Sequence, residues 1–144
     1  MPVSSNWLPW ALLSALFAAL TALLAKVGLR GVDPDFATLL RTVVIAGILV
    51  PFVWLAGKWT NPLLLPAKSL WFIALSGLAT GASWLCYFRA LQLGNAYQVA
   101  PVDKLSVVLV AVLACAFLGE RPASKDWTGV LLIASGVMLL ALRR

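Results

Sequence analysis

Long apolar runs alternate with short polar breaks five times along the chain. Each run has about 20 residues and few charges, which is the length that an α-helix needs to cross the hydrocarbon core of a bilayer. The breaks contain residues that end helices, such as Gly57, the pair Asn61-Pro62 and Gly119. The pattern therefore predicts an all-α membrane protein of five transmembrane helices, at about 7–29, 34–56, 68–92, 97–118 and 125–142.

The start of the second helix carries the clearest local signal. Asp33 is a good N-cap, Pro34 suits the first helical position and Asp35 favours the positive end of the helix dipole. Ser124 is the expected N-cap of the fifth helix. Pro101 has two interpretations, a first-turn residue that starts the fourth helix or a local opening of the backbone, and the first is favoured.

The composition supports the membrane interpretation and excludes several kinds of chemistry. Of the 144 residues, 62% are hydrophobic and 11% are charged, whereas a soluble domain has about 45–50% apolar and about 25% charged residues. The chain has no histidine, which excludes a His-based metal site and a Ser-His-Asp triad. Cys86 and Cys115 lie inside apolar runs without CxxC spacing. We expect one domain over residues 1–144, no cofactor, no metal and no enzymatic activity.

The net charge of +6 does not indicate a nucleic-acid partner, because no basic patch is concentrated anywhere in the chain. An odd number of spans places the two termini on opposite sides of the membrane. The basic residues of the loops and termini are then balanced between the N-terminal side (Lys58, Lys68, Arg121, Lys125) and the other side (Lys26, Arg30, Arg143, Arg144). The positive-inside rule needs an asymmetry to fix orientation, so either subtler features select one orientation or copies insert both ways.

The ionisable candidates inside the predicted spans are Arg41, Asp103 and Lys104, with Arg89 nearer an interface. Charged groups at this depth cost about 2.5–3.5 kcal/mol on insertion scales, and they usually face a cavity and serve a function. Asp103 and Lys104 are neighbours, so we expect them to point about 100° apart on a helix. They either belong to a substrate pathway, or Lys104 snorkels while Asp103 caps a helix. A pair between Asp103 and Arg41 is also possible.

The third predicted helix has a polar and aromatic stripe at helical spacing that includes Thr80, Trp84 and Tyr87. Trp84 is the one tryptophan of the seven that the predicted topology places away from the N-terminal side of the membrane. The stripe either lines the substrate pathway or takes part in ordinary helix packing.

Two pairs of glycines recur at spacings that put both members on one helix face. Gly77 and Gly81 form a GxxxG pair, and Gly129 and Gly136 lie seven residues apart. Small residues let helices approach closely in lipid. We expect both pairs to make helix contacts, either within one subunit or in a dimer.

The segment FRALQLGNAYQVAPVDKLSVVLVAVLACAFLGER, residues 88–121, resembles the C-terminal part of an EamA-type domain of the drug/metabolite transporter superfamily. The resemblance rests on Ala90-Leu91 with Gly94, on Val99-Ala100-Pro101 and on Leu118-Gly119-Glu120. The final segment, TGVLLIASGVMLL, looks like the last helix of the same domain. It is also similar to the last helix of small multidrug resistance proteins, in which Gly-x6-Gly lines a dimer contact.

The resemblance implies a single five-span EamA-like unit, where many members of the superfamily carry two units with the second one inverted. It therefore implies an antiparallel homodimer with dual topology, working by alternating access in the inner membrane. The expected function is export of a small metabolite, an amino acid or a drug-like compound. The first helix lacks the acidic residue that small multidrug resistance proteins use for protons and cationic drugs. The alternative is a non-transporting membrane subunit or assembly partner of a larger complex.

Overall fold

The computed structural model describes residues 7–142 and contains six α-helices that form five long apolar segments. Four of the segments are single helices, and the fourth segment, Ala96–Leu118, is divided into two helices and a wide π turn, Ala114–Leu118. The helices are α1 (Trp7–Gly28), α2 (Pro34–Leu55), α3 (Ala67–Leu93), α4 (Ala96–Asp103), α5 (Ser106–Leu113) and α6 (Ser124–Leu142).

All five segments are long and apolar enough to cross a membrane. Their lengths run from 19 to 27 residues, and at most 6% of the most apolar part of each is buried inside the chain. A water-soluble fold would bury such helices against one another, but a bilayer solvates apolar side chains that remain exposed. The predicted fold class, an all-α membrane protein with five spans, is confirmed.

The chain divides into two compact units. The central unit is Leu24–Leu93, and the terminal unit combines Met1–Leu23 with Gly94–Arg144. The expected single domain over residues 1–144 therefore consists of two substructures, which are described separately below.

The central unit is organised by the antiparallel pair α2 and α3. As predicted, Asp33 caps α2, since its Oδ1 accepts hydrogen bonds from the amides of Asp35 and Phe36, both at 3.0 Å. Pro34 occupies the first helical position, where no intrahelical N–H bond is lost. The tight 3-10 turn Pro62–Leu64 lies between α2 and α3.

In the terminal unit, α4 and α5 both pack against α6. The backbone tightens between α4 and α5, where the Lys104 amide donates to the carbonyl of Pro101 at 2.9 Å and the Leu105 amide to that of Val102 at 3.0 Å. Pro101 is the sixth residue of α4, which begins at Ala96. The favoured prediction that Pro101 starts this helix was wrong, and the segment is interrupted three residues after it.

The start of α6 also differs from the prediction. Ser124 is its first helical residue, not its cap. The Asp126 carboxylate instead reaches back and accepts a hydrogen bond from the Ala123 amide at 2.7 Å. A carboxylate near the third helical position can satisfy a free N–H of the first turn in this way, so Asp126 replaces the expected serine cap.

Candidate functional site

The central unit contains an ion pair between its two long helices. Arg89 of α3 binds Asp35 of α2 through two bonds, Nε to Oδ1 at 3.0 Å and Nη2 to Oδ2 at 2.6 Å. Both side chains remain accessible, at 61% for Arg89 and 44% for Asp35. This bidentate pair fixes the start of α2 against the end of α3. Sequence analysis identified Asp35 only as a favourable first-turn residue.

Two further hydrogen bonds fasten the same end of the central unit. Lys26 Nζ donates to the carbonyl oxygen of Leu91, and Gln92 Nε2 donates to the carbonyl oxygen of Val32 at 3.3 Å. A helix C-terminus leaves carbonyl groups without intrahelical partners, and cationic side chains are favourable there. The last turn of α3 is therefore bound to the end of α1 and to the connection that leads into α2.

Deeper in the central unit, Arg41 lies against two aromatic rings of α3. Its guanidinium carbon is 4.4 Å from the centre of the Trp84 ring and 5.3 Å from the centre of the Phe88 ring. Arg41 and Trp84 are half-buried, and Phe88 is buried. These distances are within the range of cation–π attraction. The predicted pathway residues Arg41 and Trp84 are thus brought together, and Phe88 is a member of the cluster that sequence analysis missed.

The other stripe residues of α3 differ in their surroundings. Tyr87 is half-buried, with its ring 6.3 Å from that of Phe88, and it is an electrostatic neighbour of Arg41. Thr80 is exposed and its hydroxyl donates to the Ser76 carbonyl within the same helix at 2.8 Å. The end of the stripe nearest Arg41 therefore forms a cluster, and Thr80 does not take part in it.

In the terminal unit, Asp103 and Lys104 form an ion pair with each other at the interruption of the fourth segment. Lys104 Nζ is 3.4 Å from Asp103 Oδ2, and both side chains are exposed. The prediction that these neighbours point apart overlooked the reach of the lysine side chain, which brings its ammonium group back to the carboxylate. Asp103 is the last residue of α4, so the interpretation of Asp103 as a helix N-cap was wrong.

A groove of about 470 Å³ lies beside the π turn of the terminal unit. Apolar side chains of α5 and α6 line it, and Glu120, Arg121 and Asp126 lie at its polar side. The Gly119 amide closes the turn by donating to the Ala114 carbonyl, and Gly119 has a φ of +68°. π turns occur often at functional sites. The Leu-Gly-Glu motif alone did not predict this turn.

The four glycines that were expected to make helix contacts face open space within the chain. A Cβ atom added at Gly77, Gly81, Gly129 or Gly136 would meet no other atom within 4 Å, apart from the backbone of its own helix. Within residues 7–142, no helix of the same unit therefore packs closely at these positions. Among residues 7–142 there is also no group of three side chains with metal-ligating chemistry.

Five long apolar segments, with charged and aromatic side chains held within them, define a multi-pass integral membrane protein. The model of the EamA-like transporter family matches residues 5–142, and the chain belongs to that family. The resemblance noted in the sequence is thereby confirmed.

Two relatives agree with this assignment. The chain is 55% identical over 139 residues to the "Uncharacterized transporter in cobO 3'region" of Sinorhizobium sp, covering 96% of this chain and 99% of the relative. It is 30% identical over 137 residues to the "Uncharacterized transporter YxxF" of Bacillus subtilis (strain 168), covering 94% of this chain but 42% of that relative. No solved structure matches the chain. The protein is thus a membrane transporter that works in lipid on a small molecule, and it is not an enzyme.

Proposed function

We propose that this protein exports a small metabolite, an amino acid or a drug-like compound across the cell (inner) membrane, by alternating access in an antiparallel homodimer. The observation that carries the proposal is the relation in length between the chain and its relatives. One relative is matched over 99% of its length, whereas the longer one is matched over 42%. The longer relative therefore has room for a second unit of this size, and a second copy of this chain would supply the equivalent.

The odd number of spans then determines how two units are related. In a fused protein, the second of two five-span units enters the membrane from the opposite side, so it is inverted with respect to the first. Inverted repeats that surround a site near the middle of the membrane are a common basis of alternating access. A homodimer reproduces this arrangement only if its two copies are antiparallel, which requires that the chain inserts in both orientations.

The exposed apolar surface of the chain supports a second copy of the chain as its partner. The five segments bury at most 6% of their most apolar parts, and Gly129 and Gly136 of α6 have open space around them. Because small residues allow close helix contact in lipid, we assign these two glycines to the contact between copies. Gly77 and Gly81 provide a second surface of the same type on α3.

We assign the substrate pathway to the polar groups within the spans. In the central unit these are Arg41 and Trp84, with Tyr87 next to them. In the terminal unit they are Asp103 and Lys104, where the fourth segment is interrupted. Interrupted helices and buried ions are found where transporters bind their substrates near the middle of the membrane.

Orientation can be measured with two single-cysteine reporters in a variant that lacks Cys86 and Cys115. One reporter cysteine is added after Arg144, and the other replaces Thr60 between α2 and α3. Intact cells are labelled with a membrane-impermeant maleimide, and the label is compared with that obtained after lysis. With five spans, these two sites lie on opposite sides of the membrane.

We expect a substantial fraction of both reporters to be labelled in intact cells, because each orientation exposes one of them. The cysteine-free protein is the control and should stay unlabelled. If one reporter labels completely and the other only after lysis, all copies point the same way and the antiparallel homodimer is wrong. A non-transporting subunit of a larger complex would then become the better explanation if the purified protein in liposomes also moves no solute.

A further inference from the structure

Arg41 carries a positive charge into the membrane-spanning part of the central unit. It lies seven residues beyond Pro34, the first residue of α2, which corresponds to about 10 Å along the helix axis. Its guanidinium contacts Trp84, which precedes Arg89 by five residues on α3. The charge therefore lies about 7.5 Å further along the antiparallel pair α2 and α3 than the Asp35–Arg89 ion pair does.

Within the central unit, residues 24–93, no carboxylate pairs with this charge. The chain has five acidic side chains, and four of them have partners close by in their own units. Asp33 accepts two amides of α2, Asp35 binds Arg89, Asp103 binds Lys104 and Asp126 accepts the Ala123 amide. The fifth, Glu120, lies at the groove of the terminal unit. In the central unit, Arg41 is thus held by aromatic rings and not by an anion.

The contacts of the Arg41 guanidinium within the central unit are with the rings of Trp84 and Phe88. A cation–π contact uses the ring faces of Trp84 and Phe88, whereas the N–H donors of arginine lie in the plane of the guanidinium. This planar fork matches the two oxygens of a carboxylate or phosphate.

The electrostatic character of the central unit favours the same kind of ligand. Residues 24–93 contain six basic and two acidic side chains, and both acidic side chains already accept hydrogen bonds. A surplus of positive charge raises the local concentration of anions. A solute that brings its own negative charge would supply the counter-ion that Arg41 lacks.

We propose that Arg41 binds an oxyanion, a carboxylate or a phosphate group, and that the solute moved by this transporter is therefore anionic. This proposal rests on the proposed transport function, which it makes more specific. Trp84 and Phe88 act as positioning residues, since their rings hold the guanidinium through cation–π contacts. A phosphate that belongs to a lipid headgroup has the same chemistry and is distinguished by the test below.

The test is a titration of the purified protein in detergent with three probes, followed by its midpoint of thermal unfolding. The probes are inorganic phosphate, benzoate and the neutral analogue benzamide. A ligand that binds the folded state raises the midpoint. We expect phosphate and benzoate to do so and benzamide to have no effect. Failure of both anions to shift the wild-type midpoint overturns the proposal.

The matched variants are Arg41→Gln and Arg30→Gln, which remove the same charge from the same unit. Arg30 is exposed in the connection after α1. We expect Arg41→Gln to raise the half-saturating benzoate concentration about tenfold or more, and Arg30→Gln to leave it unchanged. Equal effects of the two variants, or no effect of Arg41→Gln, contradict a specific site.

Arg41→Lys keeps the charge and is the replacement test variant if Arg41→Gln does not unfold cooperatively. Lysine lacks the planar fork, so we expect weaker benzoate binding than in the wild type, and unchanged binding overturns the proposal. To separate the two sources of oxyanion, the titration is repeated in bilayer discs of phosphatidylcholine with and without phosphatidylglycerol. If benzoate binds in discs of phosphatidylcholine but not in discs that also contain phosphatidylglycerol, and if this difference depends on Arg41, the oxyanion site is supported and a lipid headgroup is its occupant.

The two proposals fail in different experiments. Anion binding is measured on purified protein, whatever its orientation in cells. If benzoate binding depends on Arg41 but all copies have a single orientation, the antiparallel dimer is wrong and the anion site is supported. If both orientations are labelled but Arg41→Gln does not change benzoate binding, the anion site is wrong and the antiparallel dimer is supported.

Discussion

The central and terminal units have similar apolar segments but differ in how far their ionic and polar side-chain contacts reach along the chain. In the central unit, local caps and turns are accompanied by contacts between residues 54 to 65 positions apart, such as Arg89 with Asp35 and Lys26 with Leu91. In the terminal unit, the contacts of Asp103, Lys104 and Asp126 reach only one to three residues along the chain. Polar groups thus fasten helix to helix in one unit, whereas in the other they shape the backbone locally.

The two units therefore differ in what their polar residues stabilise. In the central unit, one ion pair and two long-range hydrogen bonds hold the end of α3 to the start of α2 and to the end of α1. The terminal unit interrupts its fourth segment twice, at Lys104–Leu105 and at the π turn Ala114–Leu118. Irregular backbone is where transporters bind and move substrates. The following variants test this contrast, from the largest expected effect to the smallest.

The largest effect is expected for transport in the terminal unit. Asp103→Ala and Lys104→Ala should each reduce export about tenfold or more, because their ion pair lies at the interruption of the fourth segment. Export is measured by mass spectrometry as the solutes that accumulate in the medium only when the protein is expressed. Lys125→Ala, an exposed residue of the same unit, is the control. Full export by both alanine variants, with normal insertion, would remove these residues from the pathway.

The next largest effect concerns the contact between copies. Gly129→Leu or Gly136→Leu should reduce chemical cross-linking of the dimer severalfold, because a large side chain blocks close approach of α6 to a partner helix. Within one chain both positions face open space, so the monomer should still fold. Gly47→Leu, on α2 and equally open, is the matched control. If all three variants cross-link like the wild type, α6 is not the contact.

A smaller effect is expected for stability at the π turn. Gly119 has a φ of +68°, a conformation that costs other residues about 1–2 kcal/mol. Gly119→Ala should lower the free energy of unfolding by that amount, measured by denaturant titration in detergent. Gly47→Ala should be neutral or stabilising, because Gly47 is helical and has free space around it. Equal stability of both variants would show that the turn adapts without cost.

The smallest effect separates the two ion pairs themselves. Arg89→Gln should lower the thermal unfolding midpoint more than Lys104→Gln, because Arg89 joins two helices and Lys104 pairs with its neighbour. Both pairs are accessible to solvent, so the difference should be modest and should shrink at high salt. A larger loss for Lys104→Gln would reverse the proposed roles of the two units in stability.

Much of the fold follows from the sequence because a bilayer imposes one strong rule. A spanning segment must be long, apolar and helical, so all five segments could be located, and the capping chemistry of Asp33 could be predicted as well. The interruption after Asp103 and the π turn were missed, since hydropathy is insensitive to whether a backbone bond spans three, four or five residues. Pro101 was a signal of irregular backbone, but it was interpreted as a helix start.

The candidate site was predictable only in part. The cost of burying charge singled out Arg41, Asp103 and Lys104, and the position of Trp84 in the predicted topology singled out that tryptophan. Which of these residues meet could not be predicted from one sequence, because the pairing of α2 with α3 sets Arg41 against Trp84 and Asp35 against Arg89. Phe88 was missed because a phenylalanine in an apolar helix carries no signal of its own.

The cation–π contacts of Arg41 with Trp84 and Phe88 also have a consequence for the biosynthesis of the protein. Trp84 is made 43 residues after Arg41, which takes about 2–9 s at about 5–20 residues per second. An α2 that enters the membrane during that interval has an arginine that Trp84 does not yet contact. Its mean hydropathy of 2.1 is among the highest of the five segments, which offsets the charge until α3 arrives. The apolarity of α2 is thus the property that would let this helix insert ahead of α3 despite Arg41.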